Sequence, residues 1–122
     1  MGTQPAPTHA WSAVCTAADL ARGQTLALHV HGQALALFHT HDGELFALAD
    51  HDPHEPAERG RRALSAGRLT SRRDLPVVLA RSGRHFDLAR GTCVDGGTAV
   101  AAFPVRVTDG AVEVAVPAVP AA

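Results

Sequence analysis

Large aliphatic residues occupy alternate positions on both sides of one Gly: Leu26, Leu28 and Val30 before Gly32, Leu35 and Leu37 after it. Alternation is the period of a strand with one face in the core. Taking Gly32-Gln33 as a two-residue type II′ turn, which prefers Gly first, sets His31 against Ala34, Val30 against Leu35, His29 against Ala36 and Leu28 against Leu37. One face then collects Leu26, Leu28, Val30, Leu35 and Leu37, and the other Thr25, Ala27, His29, His31, Ala34 and Ala36. A slip of one residue would mix the two sets, so the pattern predicts a half-buried antiparallel pair.

The rest of the chain is punctuated in the same way. Asp42-Gly43 opens a turn into a strand over Glu44–Leu48, and Asp109-Gly110 joins Phe103–Thr108 to Val112–Val116. Pro76–Ala80 and Arg84–Leu88 read as two further strands, and Trp11–Cys15 as another. Ala17–Ala21 reads as a turn or short helical element, with Thr16 as its cap. Short apolar runs divided by Gly-containing turns indicate an all-β, antiparallel fold of short hairpins. Trp11, Phe38, Phe46, Phe86 and Phe103 fall inside these strands and read as core. The stretch from His51 to Asp74 has no clear period and carries Pro53, Pro56, Gly60 and Gly67. A helical turn fits around Ala57–Leu64, and so long an irregular loop points to function.

Length and composition narrow the function classes. A chain of 122 residues makes one domain. Residues 11–116 hold the strands, and residues 1–10 and 117–122 read as flexible tails. A formal net charge of −1 gives no electrostatic case for a nucleic-acid binder, and with no Tyr and one Trp there is little to stack on single strands. No signal peptide and no apolar run near the ~20 residues of a membrane span are visible, so a cytoplasmic chain with free thiols at Cys15 and Cys93 is expected. The arginines crowd between Arg59 and Arg90. Such a run is either a solvated face or a dock for an acidic surface.

Candidate chemistry is sparse. Ser82-Gly83 is not a nucleophile elbow, and no phosphate-binding Gly loop is present. Cys15 in an apolar run reads as a small hydrophobe, whereas Cys93 follows the Gly91 turn beside Arg90. His29 and His31, and likewise His39 and His41, would share strand faces. His51 and His54 lie among Asp50, Asp52 and Glu55, a donor set that a zinc ion would accept. The competing reading is that these histidines are simply solvated, since no spacing matches a closed zinc motif.

His85-Phe-Asp-Leu88 followed by Gly91 resembles the second cluster-binding hairpin of a Rieske iron–sulfur domain. Such a centre needs Cys-x-His on one arm and Cys-x-x-His on the other. Counting back from Phe86 puts Leu79 and Ser82 at the second pair, while Asp52-Pro53-His54 stands at the first. One ligand of the set survives, which predicts that no cluster binds. Trp11-Ser-Ala-Val-Cys15, His31-Gly-Gln-Ala-Leu-Ala-Leu-Phe38, Leu45-Phe-Ala-Leu48 with His51-Asp-Pro53, and Phe103-Pro-Val-Arg-Val107 with Asp109-Gly-Ala-Val-Glu-Val114 extend the likeness over residues 11–116. The ordered set is similar to the small subunit of assimilatory NAD(P)H-dependent nitrite reductase, a Rieske-like domain lacking the ligands. Two positions depart from it: His54 after Asp-Pro, and Leu79-Ala80 where Ser-Pro is usual.

That resemblance implies a Rieske-like β-sandwich with no cofactor of its own and no catalytic residue. It implies a large-subunit partner carrying FAD, a [4Fe–4S] cluster and siroheme, which reduces nitrite to ammonium. The candidate docking residues are those of the tip loops: His51, His54, Arg59, Arg61, Arg62, Arg81 and Arg84. The alternatives are a Rieske-type [2Fe–2S] ferredoxin and a stand-alone β-module binding a metal through histidines.

Overall fold

The computed structural model describes residues 11–54 and 63–117. In chain order the strands are β1 (Trp11–Thr16), β2 (Thr25–Val30), β3 (Gln33–His39), β4 (Leu45–Ala49), β5 (Arg68–Arg72), β6 (Leu75–Leu79), β7 (His85–Asp87), β8 (Ala102–Phe103), β9 (Val105–Thr108) and β10 (Ala111–Ala115). They form three antiparallel sheets with strand orders β1-β10-β9, β2-β3-β4-β8 and β5-β6-β7. The all-β architecture expected from the alternation is what forms.

The first hairpin keeps its predicted faces but not its predicted register. Leu26 pairs with Leu37, Leu28 with Leu35 and Val30 with Gln33, so the turn is His31-Gly32. Both turn residues have positive φ, 52° and 80°, as a type I′ turn requires. The observed pairing differs from the expected one by two residues. A shift of two preserves side-chain parity, so the hydrophobic pattern cannot distinguish the two registers. His31 consequently sits in the turn and not on a strand face beside His29.

The pair is also not half buried. Leu35, Ala36, Leu37 and Phe38 all have 0% exposure, so β3 is enclosed on both faces. Leu35 and Leu37 join Val30, Ala47, Val112 and Val114 in a core against the β1-β10-β9 sheet. Ala36 and Phe38 join Leu48, Leu64, Val78, Phe86 and Leu88 in a second core against β5-β6-β7. On this second face the small side chain of Ala36 lets another sheet come close.

Other expectations meet the structure more simply. Asp109-Gly110 makes another turn with two positive φ values, and Val112 pairs with Val107 beyond it. Ala17–Asp19 is a 3-10 turn, where the Thr16 N–H donates to the Asp19 carboxylate at 3.2 Å. A second 3-10 turn spans Leu64–Ala66; the rest of the helical turn expected around Ala57–Leu64 lies outside the described residues. Strand β5 falls inside the stretch read as a loop. Its hairpin turn, Arg73-Asp74, has positive φ at both positions without a Gly, so the usual turn signal was missing. Trp11 is only partly buried, and the Arg106 guanidinium lies 4.1 Å from its ring centroid, a cation–π contact rather than core packing.

The sheet β5-β6-β7 is an insertion between β4 and β8, which pair with each other. Its base is closed where the Ala49 N–H donates to Ala101 O at 2.8 Å. The insertion thus leaves and returns at one point, and its loops form a tip.

Candidate functional site at the tip of the inserted sheet

Two arms and a third loop build the tip. The first arm leaves β4 at Asp50, whose carboxylate accepts the Ser65 N–H and Oγ–H, each at 2.7 Å. Those bonds tie the arm to the turn that precedes β5. Asp52 follows, 2% exposed, with Oδ1 accepting the His54 N–H at 2.9 Å. Asp52 Oδ2 and His54 Nε2 are buried without a hydrogen-bond partner among the described residues.

The second arm is the turn between β6 and β7. The Ala80 N–H bonds to Arg84 O at 2.8 Å and the Gly83 N–H to Ala80 O at 2.9 Å. Arg84 Nη1 donates to Gly96 O at 2.6 Å, which fastens this arm to the third loop. That loop, Val94–Gly97, is held by Asp95. Its carboxylate accepts the His85 N–H at 2.6 Å and Arg72 Nη1 at 2.8 Å. These donors hold the Asp95 pKa down at about 2, the His85 backbone N–H being the largest cause. His85 Nδ1 lies between Asp95 Oδ2 and Arg72 Nη1, at 3.0 and 2.9 Å, and serves one as donor or the other as acceptor.

His54 joins the three loops. Its ring centroid is 6.0 Å from that of Phe86. Gly97 has φ +120°, and a Cβ there would come within 2.5 Å of His54 Cε1. Only a residue without a side chain lets the third loop close over this imidazole.

The structure brings some of the sequence candidates together and separates others. Asp52 and His54 sit inside the tip, and Ser82 is exposed on the second arm. Leu79 turns elsewhere, lining a cleft with Gly67 and Thr25. His51 and Arg81 are exposed, and Arg84 is partly buried. Arg59, Arg61 and Arg62 lie outside the described residues. His39 and His41 do not share a strand face, because β3 ends at His39. The His39 ring instead donates from Nδ1 to Leu20 O at 2.8 Å, a structural bond across 19 residues.

The residues at the tip do not fit a [2Fe–2S] centre. Such a cluster takes two thiolates and two imidazoles, and the four equivalent positions hold a carboxylate, an imidazole, an aliphatic side chain and a hydroxyl. The two cysteines are elsewhere. Cys93 packs against the second core, and Cys15 lies on β1, its thiol pKa raised by burial and then by Asp19. No group of three or more His, Cys, Asp or Glu side chains could hold a metal among the described residues. The Arg72–His85–Asp95 network escaped the sequence reading, since its members are separated by 23 residues and share no period.

Comparisons with known proteins agree with this geometry. A crystal structure assigned as an NADH-dependent nitrite reductase small subunit from Mycobacterium tuberculosis superposes with a TM-score of 0.82 at 28% identity, covering 93% of this chain and 100% of that one. The nitrite reductase [NAD(P)H] small subunit from Erwinia carotovora gives 0.73 at 27% identity, over 92% and 85%. The Sphingomonas yanoikuyae B1 ferredoxin gives 0.68 at 24%, over 87% and 98%, a likeness of fold alone. A comparison with curated proteins finds no match. The model of the Rieske-like [2Fe-2S] domain matches residues 10–115, and the chain belongs to that family, in a form that resembles nitrite reductase small subunits.

Proposed function

We propose that this chain is the non-catalytic small subunit of a cytoplasmic NAD(P)H-dependent nitrite reductase, docked through its tip on a large subunit. The reading assigns FAD, the [4Fe–4S] cluster and siroheme to that partner, which reduces nitrite to ammonium, and no cofactor to this chain. One observation carries it: a Rieske-type tip is kept, closed and braced, while the positions that would ligate iron hold Asp52, His54, Leu79 and Ser82. A tip retained without its metal has a use as a surface. The likeness to nitrite reductase small subunits, at 27–28% identity, supports a large subunit of that enzyme as the partner class.

The docking surface in this reading comprises His51, His54, Arg81 and Arg84, with Arg59, Arg61 and Arg62 beside them in sequence. Its arginines suit an acidic patch. Co-expression with the large subunit tests it: the wild type co-purifies, and the Arg61→Glu/Arg81→Glu double variant loses assembly while keeping its melting temperature. Unchanged assembly and unchanged nitrite reduction would remove the tip from the interface.

A further inference from the structure

Among the described residues strand β5 ends its sheet, with β6 on one side only. Its pairs run Arg72 with Leu75, Thr70 with Val77 and Arg68 with Leu79, down to the two-residue turn. In such a hairpin the pair flanking the turn exchanges both hydrogen bonds, and bonded and non-bonded pairs then alternate. The N–H and C=O groups of Leu69 and Ser71 therefore point away from β6. Leu69 and Ser71 also border a groove. One section, about 610 Å³, runs beside Gly67, Arg68 and Leu69 and beneath Leu79 and Arg81. The next, about 360 Å³, runs beside Leu69 to Ser71. His41 borders both.

The charge of the groove is uneven. Among the described residues its first section is bordered by Arg68, Arg81 and His41 and by no carboxylate, and neither arginine forms an ion pair. Its second section carries Asp42 and Asp74. Guanidinium groups over an apolar floor, here Leu69 and Leu79, favour carboxylates. Arg81 also belongs to the second arm of the tip, so the groove continues the docking surface described above.

We propose that the free edge of β5 receives an extended segment of the large subunit as an added strand, with the acidic end of that segment between Arg68 and Arg81. This rests on the partner assignment made above. Backbone bonds to Leu69 and Ser71 would supply the pairing, and the arginines the direction, as in strand addition generally. The partner segment then carries Asp or Glu at one end and none at the other, where Asp42 and Asp74 would repel them.

The test uses the full chain and the large subunit, with binding followed by calorimetry and amide exchange followed in the free and bound chain. Ser71→Pro removes an outward N–H without touching the β6 ladder, and Arg68→Glu reverses the charge at the basic end. Each is expected to weaken binding about tenfold or more with the melting temperature kept, and the Leu69 and Ser71 amides of the wild type slow on binding. Wild-type binding with both variants equally tight, or with those amides unprotected, overturns the added strand while leaving the partner assignment standing. No binding by the wild type overturns both.

Discussion

At the scale of single residues, Asp95 does most to shape the tip. It takes bonds from Arg72 and from the His85 N–H, on two strands of the inserted sheet, and so fixes the loop that closes over His54. Its carboxyl pKa is lowered to about 2, against about 3.9 in an unfolded chain. A depressed carboxylate stabilises the folded state above the unfolded pKa, and that contribution disappears as pH falls through the folded value. Asp95→Asn should therefore melt below the wild type at neutral pH, and the gap should close between about pH 4 and pH 2. Melting curves across this range check it; a gap independent of pH would mean that the carboxylate charge is not what holds the loop. In the sequence Asp95 was invisible as a structural residue, because its partners at positions 72 and 85 are adjacent only after β5, β6 and β7 have paired. Phe86-Asp87-Leu88 was legible for the opposite reason. Its signal is local: Phe86 and Leu88 enter the core, Asp87 Oδ1 accepts the Ala89 N–H at 2.8 Å, and Gly91 turns at φ +77° with Val100 O close by.

At the scale of elements, β3 decides the architecture. Both faces of β3 are covered, and the molecule has two cores. Ala36, at 0% exposure, is the sharpest probe of the second core. Ala36→Leu should destabilise the fold by about 1–3 kcal/mol through overpacking, read as a lower denaturation midpoint. A solvated face would accept the larger side chain at little cost. The sequence displayed the sorting of large aliphatics plainly. It did not display the second core, because Ala27, Ala34 and Ala36 look alike whether a face is wet or closely packed. Strand β5 was hidden for a similar reason: Arg-Leu-Thr-Ser-Arg offers one large apolar residue, and its turn uses Arg73 and Asp74 in a conformation that usually calls for Gly or Asn.

At the scale of the whole molecule, one layout accounts for the function proposed. The sheets β1-β10-β9 and β2-β3-β4-β8 form a platform, and the inserted sheet packs on it through the second core and leaves and returns at one closed base. In a cluster-bearing relative the insertion would present iron at its tip. Here it presents a packed imidazole, a buried carboxylate and, among the described residues, Arg81 and Arg84. The missing ligands were legible at once, since ligand spacing is written in the chain itself. What stands in their place was not, because the closure over His54 depends on a third loop with no ligand in it. The function proposed above gives this chain a role of contact, with electrons passing elsewhere.

Iron and acid-labile sulfide analysis after anaerobic reconstitution puts that claim to its most direct test. The purified chain should remain colourless, with neither element bound in stoichiometric amount. Two irons and two sulfides per chain with the red-brown absorption of a [2Fe–2S] centre would contradict it.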